Sequence, residues 1–201
     1  MKLFLFFGPP NVGKGSLVKK MTELYHIEPL SVGDICREEK RKNSLLWQEA
    51  SAYMEATEST LWPTETLMQA FEHRFESIVK KSAGDLILDG FIRLSDQVEY
   101  FVRLVQSYSL HEVVVVDMRA PYDVCVKRAL KRDREDDADI HRRLKEYHDS
   151  SIPALNHLMS YSAILPIQRI NYNGEEDFIR MESFCQGMGL LYNLSPRFSR
   201  V

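Results

Sequence analysis

Cysteine is scarce in this chain, with three in 201 residues. Cys36, Cys125 and Cys185 are odd in number and widely spaced, with no Cys-x-x-Cys pair and no adjacent histidine pair. That pattern argues against a disulfide framework and a structural zinc site and favours buried free thiols. Long apolar runs are missing too. The longest, near residues 3–7 and 113–116, are far too short to span a bilayer. Met1-Lys2 followed at once by a strand pattern does not read as a signal peptide, so a cytoplasmic or equally reducing location is expected. Positive charge is not in excess: the net charge is −3, which argues against general nucleic-acid binding. No internal repeat or low-complexity stretch is present. At 44 % hydrophobic and 27 % charged residues, the chain fits one core, residues 1–201, with room for small inserted lobes.

What is present is concentrated first at the N-terminus. Leu3-Phe4-Leu5-Phe6-Phe7 runs directly into Gly8-Pro9-Pro10-Asn11-Val12-Gly13-Lys14-Gly15-Ser16, a Gly-x4-Gly-Lys loop. Gly8 turns the chain off a buried strand, and Gly13 and Gly15 let backbone N–H groups close around an anion. Lys14 adds a mobile positive charge, and the helix that starts here aims its N-terminal dipole at the same place. A bare match of this kind arises by chance in roughly one 200-residue chain in twenty. The context makes it specific, because an apolar strand precedes it and Leu17, Val18, Met21 and Leu24 follow at helical spacing. Gly15 departs from the common form: it stands where Ser or Thr usually follows the lysine, and the hydroxyl arrives one residue later at Ser16.

Four more segments read as short buried strands: Ile27–Leu30, Leu86–Leu88, Val113–Val116 and Leu165–Ile170. Continuous β-branched runs argue for strands covered on both faces, hence a five-stranded parallel sheet sandwiched by helices in an α/β fold. Helical patterns cover residues 14–24, 33–42, 45–57, 64–81, 95–107, 121–131, 139–158 and 175–187. Thr64, Ser95 and Pro121 supply start signals, and Pro153 is expected to bend or divide the helix that contains it. Residues 32–62 and 132–138 read as insertions, the first helical and the second a short polar turn. The tail 188–201 carries no strong pattern and leaves folding back and mobility both open.

Ligands of open parallel sheets bind at the carboxyl ends of the strands. The residues just past those ends form a coherent set: Gly8–Ser16, Ser31–Arg37 with Gly33 and Asp34, and Asp89-Gly90-Phe91-Ile92-Arg93. Taken singly, Arg37 and Arg93 read as surface residues; their shared address reverses that reading. Arg128, Arg132, Arg134, Arg142 and Arg143 follow the fourth strand, interleaved with Asp133, Glu135, Asp136, Asp137 and Asp139. On its own that segment reads as a solvated helix face.

Taken in order, these motifs resemble those of the adenylate kinase family, nucleoside monophosphate kinases of the P-loop NTPase fold, in the short-lid form. The loop Gly-x-Pro-Gly-x-Gly-Lys-Gly-Thr is similar to Gly8–Ser16, which accounts for Gly15. Ser31-Val32-Gly33-Asp34-Ile35-Cys36-Arg37 resembles Ser/Thr-x-Gly-Asp-x-x-Arg. Asp89–Arg93 resembles Asp-Gly-Phe-Pro-Arg, with Gln97 at the family spacing. Arg128-Ala129-Leu130-Lys131-Arg132 resembles Arg-x3-Arg, Arg134-Glu135-Asp136-Asp137 the lid signature Arg-x-Asp-Asp, and Arg143–Tyr147 Arg-Leu-x-x-Tyr. Asn11 replaces a glycine, Ile92 a proline and Leu94 a Thr or Asn, and the helix entering 139–143 is two residues short.

The resemblance implies reversible transfer of the γ-phosphoryl group of ATP to a nucleoside monophosphate, with Mg²⁺. It implies that Gly8, Pro10, Asn11, Val12, Gly13, Lys14, Gly15, Ser16, Arg128 and Arg132 bind ATP. The acceptor falls to Ser31, Gly33, Arg37, Leu61, Trp62, Pro63, Gly90, Arg93, Gln97, Arg134 and Arg143. Lys14, Arg93, Arg132, Arg134 and Arg143 would be catalytic, Asp136 and Asp137 would hold the lid arginines, and Mg²⁺ would sit near Ser16 and Asp89, with Asp117 as a further candidate. Residues 32–62 would bind the acceptor, residues 132–138 would form the lid, and the protein would act as a monomer without nucleic acid or membrane. Gln97 favours AMP. The alternatives are a pyrimidine or broad-specificity monophosphate kinase and a nucleotide-binding regulatory protein.

Overall fold

The computed structural model describes residues 1–81, 84–108, 110, 112–132, 137–163, 165, 167–173 and 181–197. Five strands, β1 (Lys2–Phe7), β2 (Ile27–Ser31), β3 (Asp85–Asp89), β4 (Glu112–Arg119) and β5 (Ile167–Asn173), form one parallel sheet in the order β2-β3-β1-β4-β5. The apolar runs lie in its centre. Leu3, Leu5, Leu86, Leu88, Val113 and Val115 bury themselves on one face; Phe4, Phe6, Ile87, Val114 and Val116 do so on the other. This two-sided burial is why the strands read as runs rather than as alternations. Pro29, which has no N–H for the ladder, is confined to the edge strand β2.

The helices follow the sequence pattern closely: α1 (Lys14–Leu24), α2 (Val32–Lys42), α3 (Leu45–Thr57), α4 (Thr64–Lys81), α5 (Ser95–Ser107) and α6 (Tyr122–Arg132). Start signals fare less well. Ser95 does not cap α5; the side-chain oxygen of Gln97 turns back and accepts from the N–H groups of Leu94 (3.2 Å) and Arg93 (2.7 Å). The hydroxyl of Thr64 is buried without a partner.

The expected helix over 139–158 is divided. α7 (Ile140–Glu146) ends in a π turn, Tyr147–Ser151, from which α8 (Ile152–Ser160) restarts with Pro153 in its first turn. The wider turn absorbs the hydrogen bond that the proline cannot make. α9 (Met181–Leu191) runs four residues past the expected end, and its expected start, 175–180, lies outside the described residues. Beyond it the tail folds back. His26 N–H donates to Ser195 O (2.8 Å) and Arg197 N–H to Leu24 O (2.9 Å), closing the α1–β2 corner. No helix of the described residues is long and apolar enough to cross a membrane.

Candidate active site

The carboxyl ends of β1, β2 and β3 open into a cavity of about 710 Å³. Its floor is the loop after β1. Gly8 (φ 148°), Asn11 (φ 61°) and Gly13 (φ 113°) all have positive φ, so the loop needs residues that adopt left-handed backbone. At Gly8 a side chain would stand 2.7 Å from the Met118 carbonyl, so the loop packs directly on β4. No side chain caps the start of α1, which leaves that end of the helix dipole facing the cavity.

Lys14 reaches across the loop and donates from Nζ to the carbonyls of Gly8 (2.7 Å) and Pro9 (2.9 Å). Burial of its ammonium pushes its pKa down to about 8; Asp89 opposes the shift, and Arg93 and Arg143 reinforce it. Asp89, at the end of β3, is the counter-charge. Burial pushes its carboxyl pKa up against the pull of Lys14 and Arg93, and its Oδ1 is buried without a partner.

Two arginines, Arg37 and Arg93, line the cavity with Lys14, each lying over a glycine. A Cβ on Gly33 would sit 3.2 Å from Arg37 Nη1, and one on Gly90 (φ 70°) 3.0 Å from Arg93 Nη2. Arg37 is steadied by Asp34 (2.6 Å) on its own helix, and Arg93 donates from Nε to Gly90 O (3.2 Å). Ile92 in place of proline does not unfasten Arg93. The backbone is held instead by Gln97 on Arg93 N–H and by Ser151 Oγ, which donates to Arg93 O at 3.2 Å.

α6 and α7 close the other side. Arg128 Nη1 donates to Val12 O (2.8 Å), which ties α6 to the loop. The Arg132 fork grips Asp137, from Nε to Oδ2 (2.9 Å) and from Nη2 to Oδ1 (2.6 Å), with Arg143 Nη1 3.8 Å from the same carboxylate. Asp137 therefore holds Arg132 and lies beside Arg143. Arg134 and Asp136 lie outside the described residues.

The sequence expectations largely converge here. Gly8, Pro10, Asn11, Gly13, Lys14, Gly15, Ser16, Ser31, Gly33, Arg37, Leu61, Asp89, Gly90, Arg93, Arg128, Arg132 and Arg143 all line the cavity. A second cavity, about 820 Å³, shares Arg37, Leu61 and Arg93 with it and adds Trp62, Gln97, Cys36 and Trp47. Val12 and Pro63 line neither: the Val12 side chain is buried in the core and only its carbonyl turns toward α6. Asp117 is a correction. Its carboxylate accepts from Arg119 (2.9 Å) and Arg169 (2.6 Å) and lines neither cavity, so it is not directed at a metal.

Sequence reading missed Thr60, Glu146, Tyr147 and Ser151 on the cavity wall. Glu146 Oε1 accepts from Thr60 N (2.6 Å) and Ser59 Oγ (3.1 Å), and its Oε2 accepts from Thr60 Oγ1. This fastens the end of the 32–62 segment to α7. Its only signal was its place inside Arg143–Tyr147. Ser151 had none, because it meets Arg93 across 58 residues through a π turn.

A family model described as Adenylate kinase matches residues 6–163, more than three quarters of the chain. The chain belongs to the adenylate kinase family. It is 33 % identical over 169 residues to Adenylate kinase 1 of Nostoc sp., covering 83 % of this chain and 90 % of that protein. It is 32 % identical over 180 residues to the adenylate kinase of Synechococcus sp., covering 86 % and 89 %. It is 30 % identical over 185 residues to that of Leptospira biflexa, covering 89 % and 96 %. Membership makes this chain a phosphotransferase that acts between ATP and a nucleoside monophosphate. The cations in the cavity suit that chemistry, which depends on positioning and charge neutralisation rather than on covalent intermediates.

Proposed function

We propose that the protein converts ATP and AMP to two ADP by in-line phosphoryl transfer. The observation that carries this reading is the meeting of Lys14, Arg37, Arg93, Arg128, Arg132 and Arg143 with Asp89 in the lining of one cavity. The loop after β1 and Lys14 take the donor β- and γ-phosphates, with Lys14 exchanging its carbonyl partners for phosphate oxygens. Arg37 and Arg93 clamp the acceptor phosphate in bidentate fashion. Arg132 and Arg143, with Arg134 from the lid at 132–138, spread charge over the moving group, and Arg128 lies along the donor nucleoside.

Residues 32–62 act as the acceptor lobe, with the base against Leu61, Trp62 and Gln97. Gln97 is buried, and its oxygen is committed to the backbone of Arg93 and Leu94. Its –NH₂ end is then the one turned to the base, which suits the ring nitrogen N1 of adenine as acceptor.

The donor set fits Mg²⁺: Asp89 offers a buried carboxylate oxygen without a partner, and Ser16 a hydroxyl, both in the lining of the same cavity. Both would hold the ion's water shell, and the ion supplies positive charge on the phosphate oxygens. Three free cysteines support a reducing, cytoplasmic location.

Steady-state assays with Mg²⁺–ATP against AMP, CMP, UMP and GMP test the reading. AMP is expected to be phosphorylated fastest; turnover of another acceptor with AMP at background would refute it. Gln97→Ala is expected to raise the KM for AMP more than that for ATP, and equal changes would remove Gln97 from base reading.

A further inference from the structure

Asn11 stands at the tip of the phosphate loop with a φ of 61°, a position that glycine would occupy without strain. Its side chain crosses to the lid: Nδ2 donates to Asp137 Oδ1 at 3.1 Å, joining residues 126 apart in the chain. Asp137 is buried, and the same carboxylate takes the Arg132 fork and lies beside Arg143. One carboxylate thus gathers the phosphate loop, α6 and α7.

We propose that Asn11 is a positioning residue that tethers the phosphate loop to the lid through Asp137, so that Arg132 and Arg143 are held in register with Lys14. The inference rests on the kinase reading above. Asparagine meets both demands of the position. Among residues with a Cβ it tolerates left-handed backbone well, and its amide is a neutral donor. An amide therefore adds no charge to the cluster that Asp137 forms with Arg132 and Arg143. Arg132 and Arg143 act through geometry, and a shift of about 1 Å at such groups costs on the order of 100-fold in rate. A carboxylate fixed from the loop side prevents that shift. Lid position and donor binding are then linked, and each strengthens the other.

The test is a double-mutant cycle of Asn11→Gly and Asp137→Ala, read in kcat, in both KM values, in calorimetric affinity for ATP and in thermal midpoint. Glycine keeps the loop backbone and removes only the amide. Asn11→Gly is expected to lower kcat about tenfold and ATP affinity about threefold, with the KM for AMP within about twofold and the midpoint held. The double variant is expected to be no slower than Asp137→Ala alone. Independent, multiplying effects, or an unchanged kcat in Asn11→Gly, would overturn the tether. If Asp137→Ala does not fold, Asn11→Asp replaces attraction by repulsion at Asp137, and its kcat is expected below that of Asn11→Gly; an equal or higher kcat overturns the proposal. Wild-type turnover of AMP decides the kinase reading separately, and the ATP-affinity arm reads the tether whichever acceptor is used.

Discussion

At Lys14 burial and charge act against each other, and the outcome is measurable. With its pKa pushed down to about 8, the side chain is protonated below that pH and increasingly neutral above it. A bound polyphosphate favours the charged form and raises the pKa, so binding takes up a proton once the pH exceeds about 8. ATP affinity is therefore expected to be flat from pH 6.5 to 7.5 and to fall above about 8, by up to tenfold per pH unit. Lys14→Met should abolish that slope and lower turnover more than about tenfold with the fold intact. A slope that survives in the variant would assign the titration to another group. The sequence marked Lys14 as functional through its neighbours Gly13 and Gly15, but its pKa is depressed first by burial and then by Arg93 and Arg143, against the pull of Asp89, and only the fold brings these together.

Elements carry the next level of control. α7 works on two sides: Arg143 turns toward Asp137, while Glu146, three residues on, holds Ser59 and Thr60 at the end of the 32–62 segment. Removing that hold with Glu146→Ala is expected to raise the KM for AMP about tenfold with a smaller change in the KM for ATP, since the Thr60 N–H loses a charged acceptor. Equal effects on both substrates would separate α7 from the acceptor lobe. α9 offers an internal control of packing. A Cβ on Gly189 would fall 2.0 Å from Tyr25 Oη, whose hydroxyl donates to Cys185 O (3.0 Å), whereas one on Gly187 meets nothing within 4 Å. Gly189→Ala is expected to lower the unfolding midpoint by roughly 3–10 °C, and Gly187→Ala to raise it by a degree or more, since alanine is favoured by about 0.5–1 kcal/mol in a helix interior. A rise in both would mean that the Tyr25 ring moves aside without cost. Nothing in the sequence of α9 distinguishes these two glycines.

Across the whole molecule, the sheet ends, the 32–62 segment, α6 and α7 line two cavities that share residues, so a ligand that bridges these elements stabilises all of them together. At a hundred times its dissociation constant ATP is expected to add about 2.7 kcal/mol, an upward shift in midpoint of roughly 5–10 °C. AMP added with ATP should shift it further. A shift with ATP in wild type that is unchanged in Lys14→Met would mean that the nucleotide is held away from the loop.

Much of this architecture was legible in the chain itself. Strand runs such as Leu3–Phe7 and Val113–Val116 declare two-sided burial by composition alone. The order of glycine, arginine and aspartate at strand ends carried the site, because a parallel sheet sends every strand end to the same edge. Local physics sufficed for both, since the turn geometry, the helix start and the burial period are each written within a few residues. What the tertiary structure alone decided are contacts between segments far apart in the chain. Asp117 is drawn to Arg169 across the sheet instead of toward the cavity, and Ser151 reaches Arg93 only through a π turn. Asn11 finds Asp137 across 126 residues. Such pairings depend on distances in space that residue type and spacing do not encode.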